Sequence, residues 1–223
     1  MDFELDHVFV CVSMGGSPEA GRLASLGLAE GEPNQHPGQG TACRRFVFAN
    51  AFLELLWVSD PDEVRAEQTC RLGLWERWVG RSVGACPFGV CLRPCRPEVR
   101  GLPFSAWPYQ PSYLPDSLCF HVGMDSSSPE GPLLVYLPFG RRPDTRPEGQ
   151  RQPLHHPIGF REITRVLVRA PRPLAPIAEE AAGRTVGLAF QEGEEHLLEV
   201  GFDGERSGVR ADLRPLLPLL LLW

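Results

Sequence analysis

The sequence predicts an α+β fold assembled from βαβββ units, and three observations predict it. Phe3–Val12 is a β-rich run (FELDHVFVCV) that reads as a strand with Phe3, Leu5, His7, Phe9 and Cys11 on one face, and Ser17-Pro18-Glu19 behind it is a helix start. Cys43–Phe48 and Ala51–Val58 then face each other as strands across Ala49-Asn50, a tight hairpin turn. The same order of elements returns twice further along the chain.

The first unit spans residues 1–60. Ala20, Leu23, Ala24 and Leu28 give its helix a short apolar stripe, and His36-Pro37-Gly38-Gln39-Gly40-Thr41 is a loop whose glycines allow tight turns. Residues 61–85 form a connecting helix opened by Asp60-Pro61-Asp62-Glu63, with Leu72, Trp75, Trp78 and Val79 packed on a sheet. Residues 86–140 make a degenerate second unit. Its strands are Phe88–Leu92, Phe104–Tyr109, Ser117–Val122 and Leu133–Leu137, and only a short segment stands in place of the helix. Residues 141–160 read as an exposed loop. Residues 161–223 hold a third βαβββ-like segment: strand Glu162–Arg169, helix Leu174–Ala182, and strands Val186–Phe190, His196–Phe202 and Val209–Leu213. A Leu-rich tail, read as an edge strand or a partner-facing strip, ends it.

Composition narrows the function. All 22 basic residues are Arg, which excludes a lysine Schiff base and a Walker lysine. A net charge of −6 without a basic stripe argues against a nucleic-acid partner. No run reaches the roughly 18 apolar residues of a membrane span, and no positive region precedes an apolar stretch at the N-terminus. The seven cysteines are therefore expected as free thiols in a reducing cytoplasm. The spacing of Cys86, Cys91 and Cys95 is not that of a zinc knuckle, and these read as buried or loop cysteines.

One residue needs an explanation. Ala51–Val58 is apolar on both faces except at Glu54, so the strand is covered on both sides and the carboxylate must be neutralised. Two partners can be named. A divalent cation (zinc, manganese, iron or nickel) shared with His7, which also interrupts an apolar strand, is one. Arg45 is the other: if Ala49-Asn50 makes a two-residue turn, Arg45 falls opposite Glu54, and an ion pair needs no metal.

Leu5-Asp6-His7-Val8-Phe9-Val10, His36-Pro37-Gly38-Gln39-Gly40-Thr41 and Phe52-Leu53-Glu54-Leu55 resemble, in order and spacing, the L-D-H start, H-P-x-x-G-T-x-N loop and Y-L-E-L strand of the glyoxalase-like domain of the vicinal oxygen chelate superfamily. Cys43 stands where that pattern has Asn. The resemblance implies paired βαβββ modules curving into a mixed half-barrel around a cavity, with helices outside. It also implies metal-ligand roles for His7 and Glu54. For the second module two alignments stay open: Gly89 and Tyr136, or Arg165 and Asp212, replace the expected His and Glu. His121, set among apolar residues, is a candidate third ligand, and His36 a candidate at the cavity mouth.

Three readings follow. The first is a metal-dependent lyase, isomerase or dioxygenase acting on a small hydroxy- or oxo-compound. The second is a metal-free protein that binds or sequesters a small molecule, with Trp57, Trp107, Tyr109, Tyr113 and Tyr136 lining a cleft and Arg45 and His36 contributing polar contacts. The third is an interaction module, a homodimer joined through the C-terminal strip.

Overall fold

In the computed structural model, which describes residues 1–172 and 175–223, β1 (Phe3–Cys11) is the central strand of a larger sheet. Then come α1 (Ser17–Ser25), β2 (Asn34–His36), β3 (Thr41–Val47) and β4 (Phe52–Val58), and the linking segment carries α2 (Pro61–Arg65) and α3 (Leu74–Gly80). A second set, β5 (Phe88–Pro94), β6 (Ala106–Tyr109), β7 (Phe120–Gly123) and β8 (Leu133–Tyr136), completes an eight-stranded mixed sheet of order β2-β3-β4-β1-β5-β8-β7-β6. The order is two copies of one four-strand arrangement joined at β1 and β5, which pair antiparallel with Val8 beside Val90. Residues 86–140 are thus the partner of the first unit, and the alignment through Arg165 and Asp212 falls away.

The remaining strands form a separate sheet. They are β9 (Ile163–Ala170), α4 (Pro176–Arg184), β10 (Leu188–Glu192), β11 (Leu197–Phe202), β12 (Arg210–Asp212) and β13 (Leu219–Leu222), in the order β10-β9-β11-β13-β12. The element order matches expectation but the pairing does not. β9 lies parallel to β10, the strand after the helix, whereas β1 lies parallel to β4. Leu174, expected to open the helix, is outside the described residues. The Leu-rich tail is not an edge. β13 sits between β11 and β12, with Leu219 and Leu221 fully buried and Leu220 and Leu222 half-buried.

The hairpin register is the expected one, with Phe48 N–H donating to the Ala51 carbonyl at 2.8 Å and Arg45 opposite Glu54. The face assignment on β1 is different. A register shift between Leu5 and His7 makes Asp6 an extra residue, a β-bulge that reverses the alternation. Phe3, Leu5, Val8 and Val10 therefore enter the larger core, shared with α1, α4 and the second sheet, while Phe9 and Cys11 join a smaller cluster on the other face. Asp60 caps α2 as expected, accepting from the Asp62 and Glu63 amides. The link is two short helices and a 3-10 turn rather than one helix, and its Leu72 and Leu74 close one end of a cavity.

Candidate functional site

The inner face of the eight-stranded sheet encloses a cavity of about 440 Å³. Strand alternation decides what reaches it. Phe52, Glu54 and Leu56 of β4 line it, while Leu53 and Leu55 face the larger core with Trp57 against them. Trp57 is thus not a cavity residue. The same parity removes two more expectations. Phe120 and Val122 line the cavity and His121 between them does not; Val135 lines it while Tyr136 packs edge-on to Phe3 in the core. His7, His36, Arg45 and Glu54 are brought together; His121, Trp57 and Tyr136 are not.

The bulge positions the polar end. It aims Asp6 and His7 into the same space, and the imidazole Nδ1 lies 2.7 Å from Asp6 Oδ1, leaving Nε2 3.9 Å from Glu54 Oε2. Arg93 fixes Asp6 from behind. This fully buried guanidinium donates to the Leu5 carbonyl at 2.5 Å and the Asn50 carbonyl at 2.6 Å, and lies 3.6 Å from Asp6 Oδ2. Phe52 stacks on the His7 ring at 4.3 Å between centroids. Burial works against a charged His7, but the facing Cys91, the Asp6 hydrogen bond and the Glu54 charge outweigh it and raise the pKa well above the ordinary value. Burial likewise pushes the Cys91 thiol up.

Glu54 and Glu199 pose the same problem and receive opposite solutions. Glu199, on β11, accepts from Arg169 at 2.7 Å and Arg165 at 3.1 Å; burial opposes its ionisation, but the two guanidinium groups win and lower its pKa. Glu54 has no arginine partner among the described residues. Arg45, opposite it, donates Nε–H to the Glu32 carbonyl at 3.0 Å instead.

A second polar group comes from the loop. Glu63 accepts from the Gly38 and Gly40 amides at 2.7 and 3.0 Å, and at Gly40 a Cβ would sit 2.4 Å from the Asp60 carbonyl, so only glycine turns the chain here. The fixed loop presents Gln39, whose carbonyl accepts from Tyr109 and Tyr113 hydroxyls at 3.2 Å each and whose amide donates to Thr41 Oγ1 at 2.9 Å. Thr41 Oγ1 is also 2.9 Å from His36 Nδ1. Burial pushes Tyr109 up to about 12 and lowers His36. His36, Cys43 and Glu54 each offer a ligand atom, all within 4.8 Å of one another.

The pairing of the two modules permits a position-by-position comparison. Centred on Val8 and Val90, the registers carry His7 to Gly89, Glu54 to Val135 and Arg45 to Val122. The residue equivalent to Glu54 is thus Val135, one place from the expected Tyr136. A Cβ on Gly89 would lie 2.0 Å from the Phe9 ring, so that ring occupies the place of a second histidine. A four-donor metal site built from the same positions of both modules does not fit these residues: two of the positions are Gly89 and Val135.

Sequence reading missed Asp6 and Cys91. Two consecutive polar residues in an apolar strand, Asp6-His7, were the available signal of a bulge; Cys91 is visible only once β1 and β5 are paired. The 141–160 segment is mostly exposed, as expected, but its Arg141, Thr145, Arg146, Pro147 and Gln150 also wall the cavity, a role not read from the sequence. Among the described residues no helix is long and apolar enough to cross a membrane.

No family model matches the chain, and no curated protein matches it. Among solved structures, a hypothetical protein from Staphylococcus aureus superposes with a TM-score of 0.56 at 10% identity, over 99% of this chain and 99% of its own. Hypothetical protein BH1468 from Bacillus halodurans C-125 aligns with a TM-score of 0.41 at 12% identity, over 64% of this chain and 98% of its own. The first of these likenesses is one of fold, end to end.

Proposed function

We propose that the protein binds a small organic molecule with a polar, oxygen-bearing end and an apolar body inside the eight-stranded sheet. The observation that carries this is the division of the cavity. Equivalent positions of the two modules read His7, Glu54 and Arg45 on one side and Gly89, Val135 and Val122 on the other. Leu133, Leu137, Phe120 and Phe139 extend the apolar half. Apolar walls supply affinity and a few convergent polar groups fix orientation. The expected ligand class is a hydroxy- or oxo-compound carrying an aromatic or branched aliphatic group.

Calorimetric titration with a panel of such compounds tests the reading. Val135→Trp should abolish binding by filling the apolar half, and His7→Ala should weaken it while leaving the chamber open. Full affinity in Val135→Trp would place the ligand elsewhere and overturn the proposal.

A second reading, metal-dependent catalysis on the same ligand, is favoured by one observation. Asp6 on Nδ1 of His7 is the arrangement by which a carboxylate orients a metal-binding imidazole. His7 and Glu54 alone make two ligands, fewer than a transition metal needs to be held tightly.

A further inference from the structure

We propose that His36, Cys43 and Glu54 form a divalent transition-metal site held entirely within the first module, with zinc as the ion best suited to it. The three donor atoms lie within 4.8 Å of one another. Tetrahedral zinc with its usual bond lengths sets donors about 3.3–3.8 Å apart, so roughly 1 Å of closure completes the set. The two anionic donors, a thiolate and a carboxylate, balance the charge of the ion, which is what a buried site requires. A mixed nitrogen, sulfur and oxygen set disfavours magnesium and calcium, which take oxygen ligands.

Independent observations point the same way. Glu54 is 6% exposed, faces this cluster, and has no guanidinium partner among the described residues, whereas Glu199 on the other sheet has two. The neighbours of Glu54 are the Cys43 thiol, hydrogen-bonded to it, and the His7 imidazole at 3.9 Å, and a cation bound to both the thiolate and the carboxylate would neutralise the pair. The imidazole of His36 is set for ligation. The Asn34 amide donates to its Nε2 at 3.1 Å, so the proton of the neutral ring is on Nδ1 and is donated to Thr41 Oγ1. Asn34 is exposed and free to yield that lone pair to an ion. Cys43 is fully buried, so its thiol is shielded from solvent oxidants, and it sits where the resembling family has Asn. His36 and Glu54 both line the cavity, so the fourth position of the ion opens onto the chamber. This site differs from the family pattern in two of its donors and shares only Glu54 with it.

The test uses the reduced, chelator-stripped 223-residue chain titrated with Co²⁺ in the absence of any organic ligand, so its outcome is separate from that of the small-molecule proposal. One equivalent should bind with visible bands of four-coordinate intensity and a thiolate-to-cobalt charge-transfer band in the near ultraviolet, both erased by one equivalent of Zn²⁺. Cys43→Ser should remove the charge-transfer band. Cys43→Ser and His36→Ala should each weaken Co²⁺ binding by more than the roughly 10–100-fold that outer-shell changes cost. Cys91→Ser, which alters the thiol beside His7, should leave the band intact. If the Cys43 variant does not fold, X-ray absorption on zinc-loaded native protein reads the same point as one sulfur in the coordination shell. Absence of stoichiometric binding, binding without a sulfur signature, or a band lost with Cys91 instead of Cys43 overturns the proposal.

Discussion

Arg45 stands opposite Glu54 in the β3–β4 register, yet its guanidinium turns to the Glu32 carbonyl and leaves the carboxylate to His7, 3.9 Å away. A buried carboxylate held by a structural ion pair costs about 3–5 kcal/mol to break. One whose nearest charged neighbour is an imidazole 3.9 Å away costs little to neutralise. Glu54→Gln is therefore expected to leave urea stability unchanged or raise it by up to about 2 kcal/mol. Glu199→Gln should lower it by about 1–2 kcal/mol, a modest figure because Arg165 and Arg169 are each about one-third exposed. Equal losses in the two variants would show that Glu54 has a structural partner after all.

Phe9 over Gly89 closes the second half of the site to any side chain. Gly89→Ala should destabilise by about 1–3 kcal/mol through overpacking. In a Phe9→Leu background the ring is gone and most of that loss should disappear, giving a coupling energy of at least about 1 kcal/mol in a double-mutant cycle. Additive losses would mean that Gly89 is kept for backbone reasons.

The part of the fold governed by local chemistry was legible in the chain. The Ala49-Asn50 turn set the hairpin register, Asp60 capped its helix, and the strands of the second unit lie within a few residues of their expected bounds. What depends on long-range pairing was not legible. A single bulge at Asp6 reversed the faces of β1, and a one-residue difference in register replaced Tyr136 by Val135 in the site, because a strand's period of two turns each such step into a change of face. His121 was misplaced for the same reason, since polarity alone cannot say which face of β7 looks inward. The five-stranded sheet shows the limit of element order, because one order of strands and helix admits more than one pairing.

His7 gives the site a pH dependence of definite sign. Of the histidines whose pKa departs from the ordinary value, His36, His121, His156 and His196 are lowered and His7 alone is raised. A raised folded-state pKa contributes stability that is complete below the unfolded value, about 6.5, and is lost as pH rises through the folded value. Asp6→Asn removes one of the groups that raise it, so this alkaline loss should shrink. An NMR titration of the imidazole resonances should show one histidine titrating above the rest, and that resonance should move down in Asp6→Asn. A His7 resonance titrating with the lowered group would contradict the Asp6 contact.

Arg93 ties the cavity to the scaffold, and its replacement separates charge from geometry. The guanidinium is 1% exposed and holds four groups at once: the Leu5 and Asn50 carbonyls, Glu4 at 3.0 Å and Asp6 at 3.6 Å. Glu4, Leu5 and Asp6 belong to β1 and Asn50 to the β3–β4 turn, and a planar fork reaches all of them where a single ammonium cannot. Arg93→Lys keeps the charge but leaves buried carbonyls unpaired, each at about 1–3 kcal/mol. It should therefore lose about 2–4 kcal/mol in urea denaturation, and Arg93→Met at least as much because Glu4 and Asp6 then lose their guanidinium as well. Loss of Asp6 alignment should also free the His7 ring, so ligand binding should weaken in Arg93→Lys even at temperatures where the protein stays folded. A lysine variant with native stability and native binding would mean that Arg93 serves Asp6 by charge alone.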